Sequence, residues 1–382
     1  MNELDLELID TYQFQRLRRI KQTGLVYLVY PGAQHTRFEH SIGTRHLAEK
    51  ILETLKIYGL EIKREEEELL MISSLLHDIA HLPFSHSLDL ISEEEHEKLS
   101  REVIASSELK DIVSKYGYSI DDVSKCISGE RTPLSSIIRS EIDADRLDYL
   151  QRDAYYCGVA YGVIDSRILM EFRFHENRVA VSEKGIKPVE SVLFARYSMY
   201  NMVYGHKTAR IASRMLTKGV EEAIKQGALS FDLLLKLGDE ELLAEMGKIK
   251  GLPSEMSERI KNRKLYKRAF YVSWDEADQD ILKKAITEEG RKSLSEKLED
   301  EIAAQAGLGY GEVLVDVPKL PILEEANVKV VIQGKLVDLR RISLLAEPIT
   351  SSMKRSWSIG VYSKSEDVEK VKRASEKVLR YR

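Results

Sequence analysis

The sequence predicts a mainly α-helical protein with a smaller mixed α/β portion at its C-terminus. Two observations carry this. Helix-capping signals and apolar residues at helical spacing recur through the first two thirds of the 382 residues. Runs of strand composition, bounded by Gly and Asn, gather in the last third. No internal repeat or low-complexity linker divides the chain. The expected division is a helical catalytic core over 1–220 and a helical, then α/β, lobe over 221–382.

The elements are justified in order. Thr36 and Glu39 form a capping box ahead of Ile42, Leu47 and Ile51. This starts a helix with Arg37 and His40 in its first turns, where anions are also favoured. A second helix is expected from the cluster at 65–68 to about His81. Pro83 ends it, because the residue before a proline avoids the α region. On that helix His77 and His81, four apart, share a face. Ser92 and Glu95 suggest another capping box, with His96 just inside. The pattern from Pro133 to Cys157 is helical, and Gly158 is a natural C-cap. One long helix should cover 189–217. Strands follow at 311–318, 327–339 and 356–363, and a charged helix closes the chain.

Composition bounds the function. Hydrophobic residues make up 43% and charged residues 32%, as in a soluble globular protein. There is no apolar run near 18 residues, so no membrane span is expected. The opening MNELDLELID lacks the basic and apolar regions of a signal peptide. Two cysteines, Cys126 and Cys157, do not make a disulfide framework, which points to a cytoplasmic protein. The net charge of −5 argues against nucleic acid as a partner. The basic run KNRKLYKR at 261–268 is either a solvated surface or a place to meet an anion.

The chemistry concentrates around one His-Asp pair. Seven of the nine histidines lie between His35 and His96. His40, the adjacent His77-Asp78, and Asp145 form an H…HD…D set. Two imidazoles and two carboxylates can hold a divalent metal and leave positions open for water and phosphate. A single histidine on a helix is usually packing or surface. His40 and Asp145 must come from helices other than the one bearing His77, which spacing alone does not establish.

Together, DTYQFQRLRRIKQTGLVYLVYPGAQHTRFEHSIG, LLHDIAHLPFSHSLD, DADRLDYLQRD and ARYSMYNMVYGHK resemble the HD-domain metal phosphohydrolases. The resemblance is closest to the deoxynucleoside triphosphate triphosphohydrolases, and it covers roughly residues 9–210. It implies an HD-domain helical catalytic core with His40, His77, Asp78 and Asp145 as metal ligands. It implies a catalytic group of His86, Asp89 and His96, with His81 facing phosphate. Arg37, Arg146, Tyr149, Asp153, Arg196, Tyr204 and Gln22 become substrate contacts. Read without the resemblance, Tyr149 and Tyr204 are core aromatics, Arg37 and Arg196 surface cations, and Asp153 a partner for Arg152. Thr23 departs from the leucine that faces deoxyribose in the deoxynucleotide-specific human member, which leaves the sugar preference open.

The resemblance also implies a regulatory site. Asp10, Gln15 and Arg18 match residues that read a guanine nucleotide. Val29, Tyr30, Arg167, Lys184 and Lys207 lie near positions that bind a neighbouring nucleotide across subunits. An Asp-Pro…His-Gly segment usual in the family is missing upstream, and QFQRLRRIKQ is equally an amphipathic basic helix. The implied reaction is hydrolysis of a nucleoside triphosphate substrate to nucleoside and tripolyphosphate. The implied metal is a divalent transition ion (Fe, Mn, Co, Ni or Zn), with Mg on the phosphates. A homo-oligomer, dimer or tetramer, is expected. The rival readings are another HD phosphatase or phosphodiesterase, and a nucleotide-sensing binding protein with weak turnover.

Overall fold

Thr36 starts the first long helix as its sequence requires. Its backbone N–H and its hydroxyl both donate to Glu39 Oε2, at 2.5 and 2.8 Å, and the helix runs Arg37–Ile57. The computed structural model describes residues 1–88, 96–321 and 324–380. The Arg37 helix packs against the helices Arg64–Leu76 and Ala144–Cys157. Ala48, Ile51, Leu52 and Leu55 meet Leu147, Leu150 and Ala154 in one buried core. The Ala144 helix is defined at both ends. Asp143 caps it through the Arg146 N–H at 2.8 Å, and Gly158 closes it in the left-handed region at φ 68°.

Three helical expectations need correction. The second helix stops at Leu76, not near His81, and His77 is its C-cap. The chain tightens there into turns, with Ile79 N–H on the Leu76 carbonyl and His81 N–H on that of Asp78. Ile79 and Ala80 drop into the core, so His77 and His81 do not share a helix face. The 133–157 segment is a 3₁₀ turn over Pro133–Ile137, then the Ala144 helix. Asp143 breaks it by capping the second piece and accepting the Ser140 N–H. The 189–217 segment is two helices, Ile186–Met199 and Lys207–Lys225, separated by a π turn at Tyr200–Tyr204. His206 caps the second of them. The Ser92–Glu95 box lies outside the described residues, and a helix does begin at His96.

The strands are β1 (Phe172–His175), β2 (Arg178–Ser182), β3 (Lys267–Ser273), β4 (Val313–Asp316), β5 (Lys329–Ile332), β6 (Lys335–Asp338) and β7 (Ser358–Ser363). The expected strand at 327–339 is a hairpin, because Gln333 and Gly334 turn at φ 48° and 74°. The sheets have the orders β1-β2-β5-β6 and β3-β7-β4. β2 runs parallel to β5, with Val181 opposite Val330, so the first sheet joins chain on both sides of residue 220. The helices Glu288–Ala306 and Val368–Arg380 cover the second sheet, packing Leu298, Ile302 and Val371 on Trp357, Ile359 and Val361. Leu314 and Tyr362 of that sheet bury against Met215 and Leu216 of the Lys207 helix. The architecture is mainly α with two small sheets. Among the described residues no helix is long and apolar enough to cross a membrane.

Candidate metal centre

Three separate segments deliver one cluster. The first turn of the Arg37 helix brings His40, the end of the Arg64 helix brings His77 and Asp78, and the first turn of the Ala144 helix brings Asp145. His40 Nε2 lies 3.0 Å from Asp145 Oδ1 and 3.2 Å from His77 Nε2. His77 Nε2 lies 3.8 Å from Asp145 Oδ1. These three groups can offer one ligand atom each, all within 4.8 Å of one another.

The hydrogen bonds behind the rings say what the cluster needs. His77 Nδ1 faces the Ser74 carbonyl at 2.8 Å. A carbonyl only accepts, so Nδ1 carries the proton and Nε2 a lone pair. His40 Nδ1 faces Asp148 Oδ2 at 2.8 Å, with the same consequence. In neutral rings, two lone pairs and a carboxylate oxygen therefore converge on one point. Such an acceptor set is repulsive unless a cation sits among it, and imidazole nitrogen with carboxylate oxygen is a transition-metal donor set. Without an ion, a proton on His40 takes that place. Burial disfavours charge on His40, but Asp145, Asp148 and Asp78 outweigh it and raise its pKa to about 10. Burial also opposes charge on Asp145, and the facing His40 lowers its pKa to about 2. The residues fit a bound divalent ion.

Asp78 stands at the edge of this trio. Its oxygens are 3.6 Å from His40 Nε2 and 3.5 Å from His77 Nε2. They also meet Arg37 Nη1 at 2.6 Å and His81 Nδ1 at 3.1 Å. Burial raises the Asp78 pKa, but Arg37 first, and then the neighbouring imidazoles, hold it well below the usual range. Arg37 is itself buried. Its Nε donates to Ser85 Oγ at 2.8 Å, and its Nη2 has no partner among the described residues. That free N–H is a ready donor to an anion beside the metal position. Phe84 and Ser85 adopt φ of 57° and 51°, and Asp239 accepts the Phe84 N–H at 2.6 Å, fixing the turn that presents Ser85.

Four of the expected substrate residues, Tyr149, Asp153, Arg196 and Tyr204, form one chain of contacts that begins at His40. Asp145, Tyr149 and Asp153 follow one stripe of the Ala144 helix. The Tyr149 ring centroid is 6.4 Å from that of His40 and 6.4 Å from that of Tyr204. Arg196 Nη1 donates to Tyr149 Oη at 2.7 Å, and Tyr204 Oη to Asp153 Oδ2 at 2.6 Å. Arg146 is turned toward Asp143 and the Ser140 carbonyl. The Gln22 backbone bonds to His35, and its side-chain Oε1 and the Thr23 hydroxyl are buried without partners among the described residues. The side chains of His86 and His96, and Asp89 altogether, lie outside the described residues.

The expected effector residues fall into groups. Arg18 Nε donates to Gln15 Oε1 at 2.9 Å, and Asp10 caps the preceding helix. Tyr30, next to Val29, donates to the Met202 carbonyl and meets the His206 ring, so both sit close to Lys207. Lys207 lines a cavity of about 390 Å³ with Arg263, Lys267 and Arg268, which brings part of the 261–268 basic run beside it. Arg167 pairs with Asp165, and it and Lys184 lie exposed in turns packed on the Ile186 helix.

Two buried residues escaped the sequence reading. Asp148 holds His40, and the only local hint was its position three after Asp145 in DADRLD. His35 Nε2 meets Asp153 Oδ1 at 2.7 Å while its ring stacks on Tyr156 at 4.6 Å. Nothing in its local sequence pointed to that pairing.

Residues 37–153 match the HD domain, and residues 164–382 match the HD associated region. An uncharacterized protein of Methanocaldococcus jannaschii is 35% identical over 377 residues, 97% of this chain and 78% of that one. The deoxynucleoside triphosphate triphosphohydrolase SAMHD1 homolog of Dictyostelium discoideum is 34% identical over 254 residues, 62% of this chain and 48% of its own length. Among solved structures, a hypothetical protein from Aquifex aeolicus superposes with a TM-score of 0.76 at 33% identity, over 98% of this chain and 96% of that one. A phosphohydrolase from Bacteroides thetaiotaomicron gives 0.74 at 25% identity, over 94% and 95%.

Proposed function

The chain belongs to the HD-domain family, with an HD-associated region after its HD domain, and on that premise we propose that it hydrolyses nucleoside or deoxynucleoside triphosphates to nucleoside and tripolyphosphate. The observation that carries the reading is the meeting of the acceptor trio His40, His77 and Asp145 with the half-satisfied guanidinium of Arg37. His40, His77, Asp78 and Asp145 would hold a divalent ion, which would supply Lewis-acid polarisation of a phosphoryl group and lower the pKa of a water beside it.

The chain's own residues do the rest. Arg37, Arg146 and Arg196 neutralise the phosphate chain, and His81 faces it beside Asp78. Tyr149, Tyr204 and Asp153 bound the place where a nucleoside would lie, beside His40. The resemblance gives His86, with Asp89 and His96, the task of passing a proton to the leaving 5′ oxygen. The test is product analysis: each dNTP and NTP is incubated with Mn²⁺ or Mg²⁺ and the products are separated. Nucleoside plus tripolyphosphate is expected. Release of inorganic phosphate or pyrophosphate instead would move the chain to another HD chemistry. His86→Ala is expected to keep its metal and to slow turnover about 10²–10⁴-fold. A loss of only a few-fold at saturating substrate would assign the proton to another group.

Regulation forms part of the reading. Asp10, Gln15 and Arg18 would read a guanine nucleotide, and the basic cleft at Lys207 would take phosphate across a subunit contact in a dimer or tetramer. GTP or dGTP is expected to raise both assembly mass and dNTP turnover, and Asp10→Ala to blunt both effects. An unchanged response in Asp10→Ala would remove the site.

A further inference from the structure

Asp145 and Asp148 stand three apart in the first turns of the Ala144 helix, so both project toward the Arg37 helix. They meet the two nitrogens of one imidazole. Asp145 Oδ1 is 3.0 Å from His40 Nε2, and Asp148 Oδ2 is 2.8 Å from His40 Nδ1. We propose that Asp148, locked by Arg152 and admitted by Gly43, is the positioning carboxylate that makes His40 a metal ligand. The inference rests on the metal reading of the site and deepens it.

Three features fix Asp148 in that role. It is buried, and Arg152 grips both of its oxygens from one turn further along, Nε to Oδ2 at 2.8 Å and Nη2 to Oδ1 at 2.7 Å. A carboxylate whose two oxygens take such a fork can only accept, so His40 Nδ1 must donate, which leaves Nε2 as the nitrogen that meets the ion. The Thr44 hydroxyl, 3.5 Å from Nδ1, is too far to hold the ring alone. Gly43, three residues after His40, opens the space. A Cβ there would lie 2.0 Å from Asp148 Oδ1 and 2.4 Å from Arg152 Nη2. Any other residue would push the carboxylate off the ring or the two helices apart. The second ligand ring, His77, leans on a backbone carbonyl. Asp148 is therefore the arm of the site that side-chain substitution can tune.

The test measures dissociation constants for Mn²⁺ and Zn²⁺ by equilibrium dialysis with elemental analysis, alongside circular dichroism and thermal melting. Asp148→Asn is expected to weaken both constants about 10–100-fold with the helical spectrum retained. Gly43→Ala should weaken them in the same direction. Arg152→Lys keeps the charge and loses the fork, so a smaller loss is expected, and this milder variant keeps the test open if Asp148→Asn unfolds. Leu55→Ala, buried in the same helix away from the site, should lower the melting temperature and leave ion affinity unchanged. Wild-type affinity in folded Asp148→Asn or in Arg152→Lys overturns the positioning role and leaves the metal reading intact. Failure of the wild type to bind either ion overturns both.

Discussion

Replacing Asp145 with alanine is expected to strip the divalent ion from the chain and abolish turnover while the fold survives. Its side chain is 36% exposed, and although buried His40 loses this oxygen, Asp148 and Asp78 still face the ring. The substitution does remove the oxygen that closes the trio with His40 and His77. Asp78→Ala should also lose the ion, but at a cost to stability. Arg37 and Asp78 are both nearly sealed from water and meet at 2.6 Å, so Arg37 would become a buried charge without its partner. About 3–5 kcal/mol is the usual cost of such a break. Elemental analysis, activity and denaturant unfolding on the two variants separate these effects. Full ion content in Asp145→Ala would sink the ligand assignment. A proton count adds a second check. In the ion-free protein His40 is raised to about 10, against the pull of burial, so near neutral pH it carries a proton that an incoming ion must expel. Ion uptake should release about one proton, and apparent affinity should fall about tenfold for each unit the pH drops below that value. Calorimetry in two buffers of different ionisation enthalpy measures the release, and uptake without a proton would contradict it.

How much of this was legible in the sequence depends on the range of the interaction that fixes each piece. The Arg37 helix was readable because Thr36 and Glu39 bond each other within four residues, and the end at Gly158 because glycine takes the left-handed turn. The histidines and aspartates of the centre were readable by residue type and by resemblance. Their convergence was not, since it depends on three segments packing together. The stop at Leu76 was missed because tertiary burial of Ile79 and Ala80 sets it, and Pro83 comes too late to do so. The break at Tyr200–Tyr204 had only Gly205 to announce it. The β1–β2 hairpin carried a usable sign, alternation around Glu176-Asn177 with both at positive φ, and it was passed over within a helical region. Asp148 and His35 act through contacts more than a hundred residues distant, where periodicity has no reach.

The second large effect should come from far outside the metal centre, at Glu299. This residue of the Glu288 helix is buried, and it accepts from three groups at once. Arg214 Nη2 meets its Oε1 at 2.8 Å, the Val315 N–H meets the same oxygen at 2.9 Å, and Lys218 Nζ meets its Oε2 at 2.7 Å. Arg214 and Lys218 are also buried, on the helix that begins at Lys207 just beyond Tyr204. Glu299 thus fastens that helix to β4 and the Glu288 helix. Glu221 remains beside Arg214 at 3.1 Å when Glu299 is removed, but Lys218 and the Val315 N–H lose this acceptor. Glu299→Ala is therefore expected to cost about 3–5 kcal/mol, since the loss leaves charge stranded in low dielectric. Adding Lys218→Met should recover part of that loss, because it removes the stranded cation and keeps the chain volume. Urea unfolding of the single and double variants measures both steps. A cost below about 1 kcal/mol for Glu299→Ala would mean that water reaches the network and that the pairs behave as surface ones. Ion content at the metal centre should stay at the wild-type level in folded Glu299→Ala, because none of the atoms that converge on His40 belongs to this network.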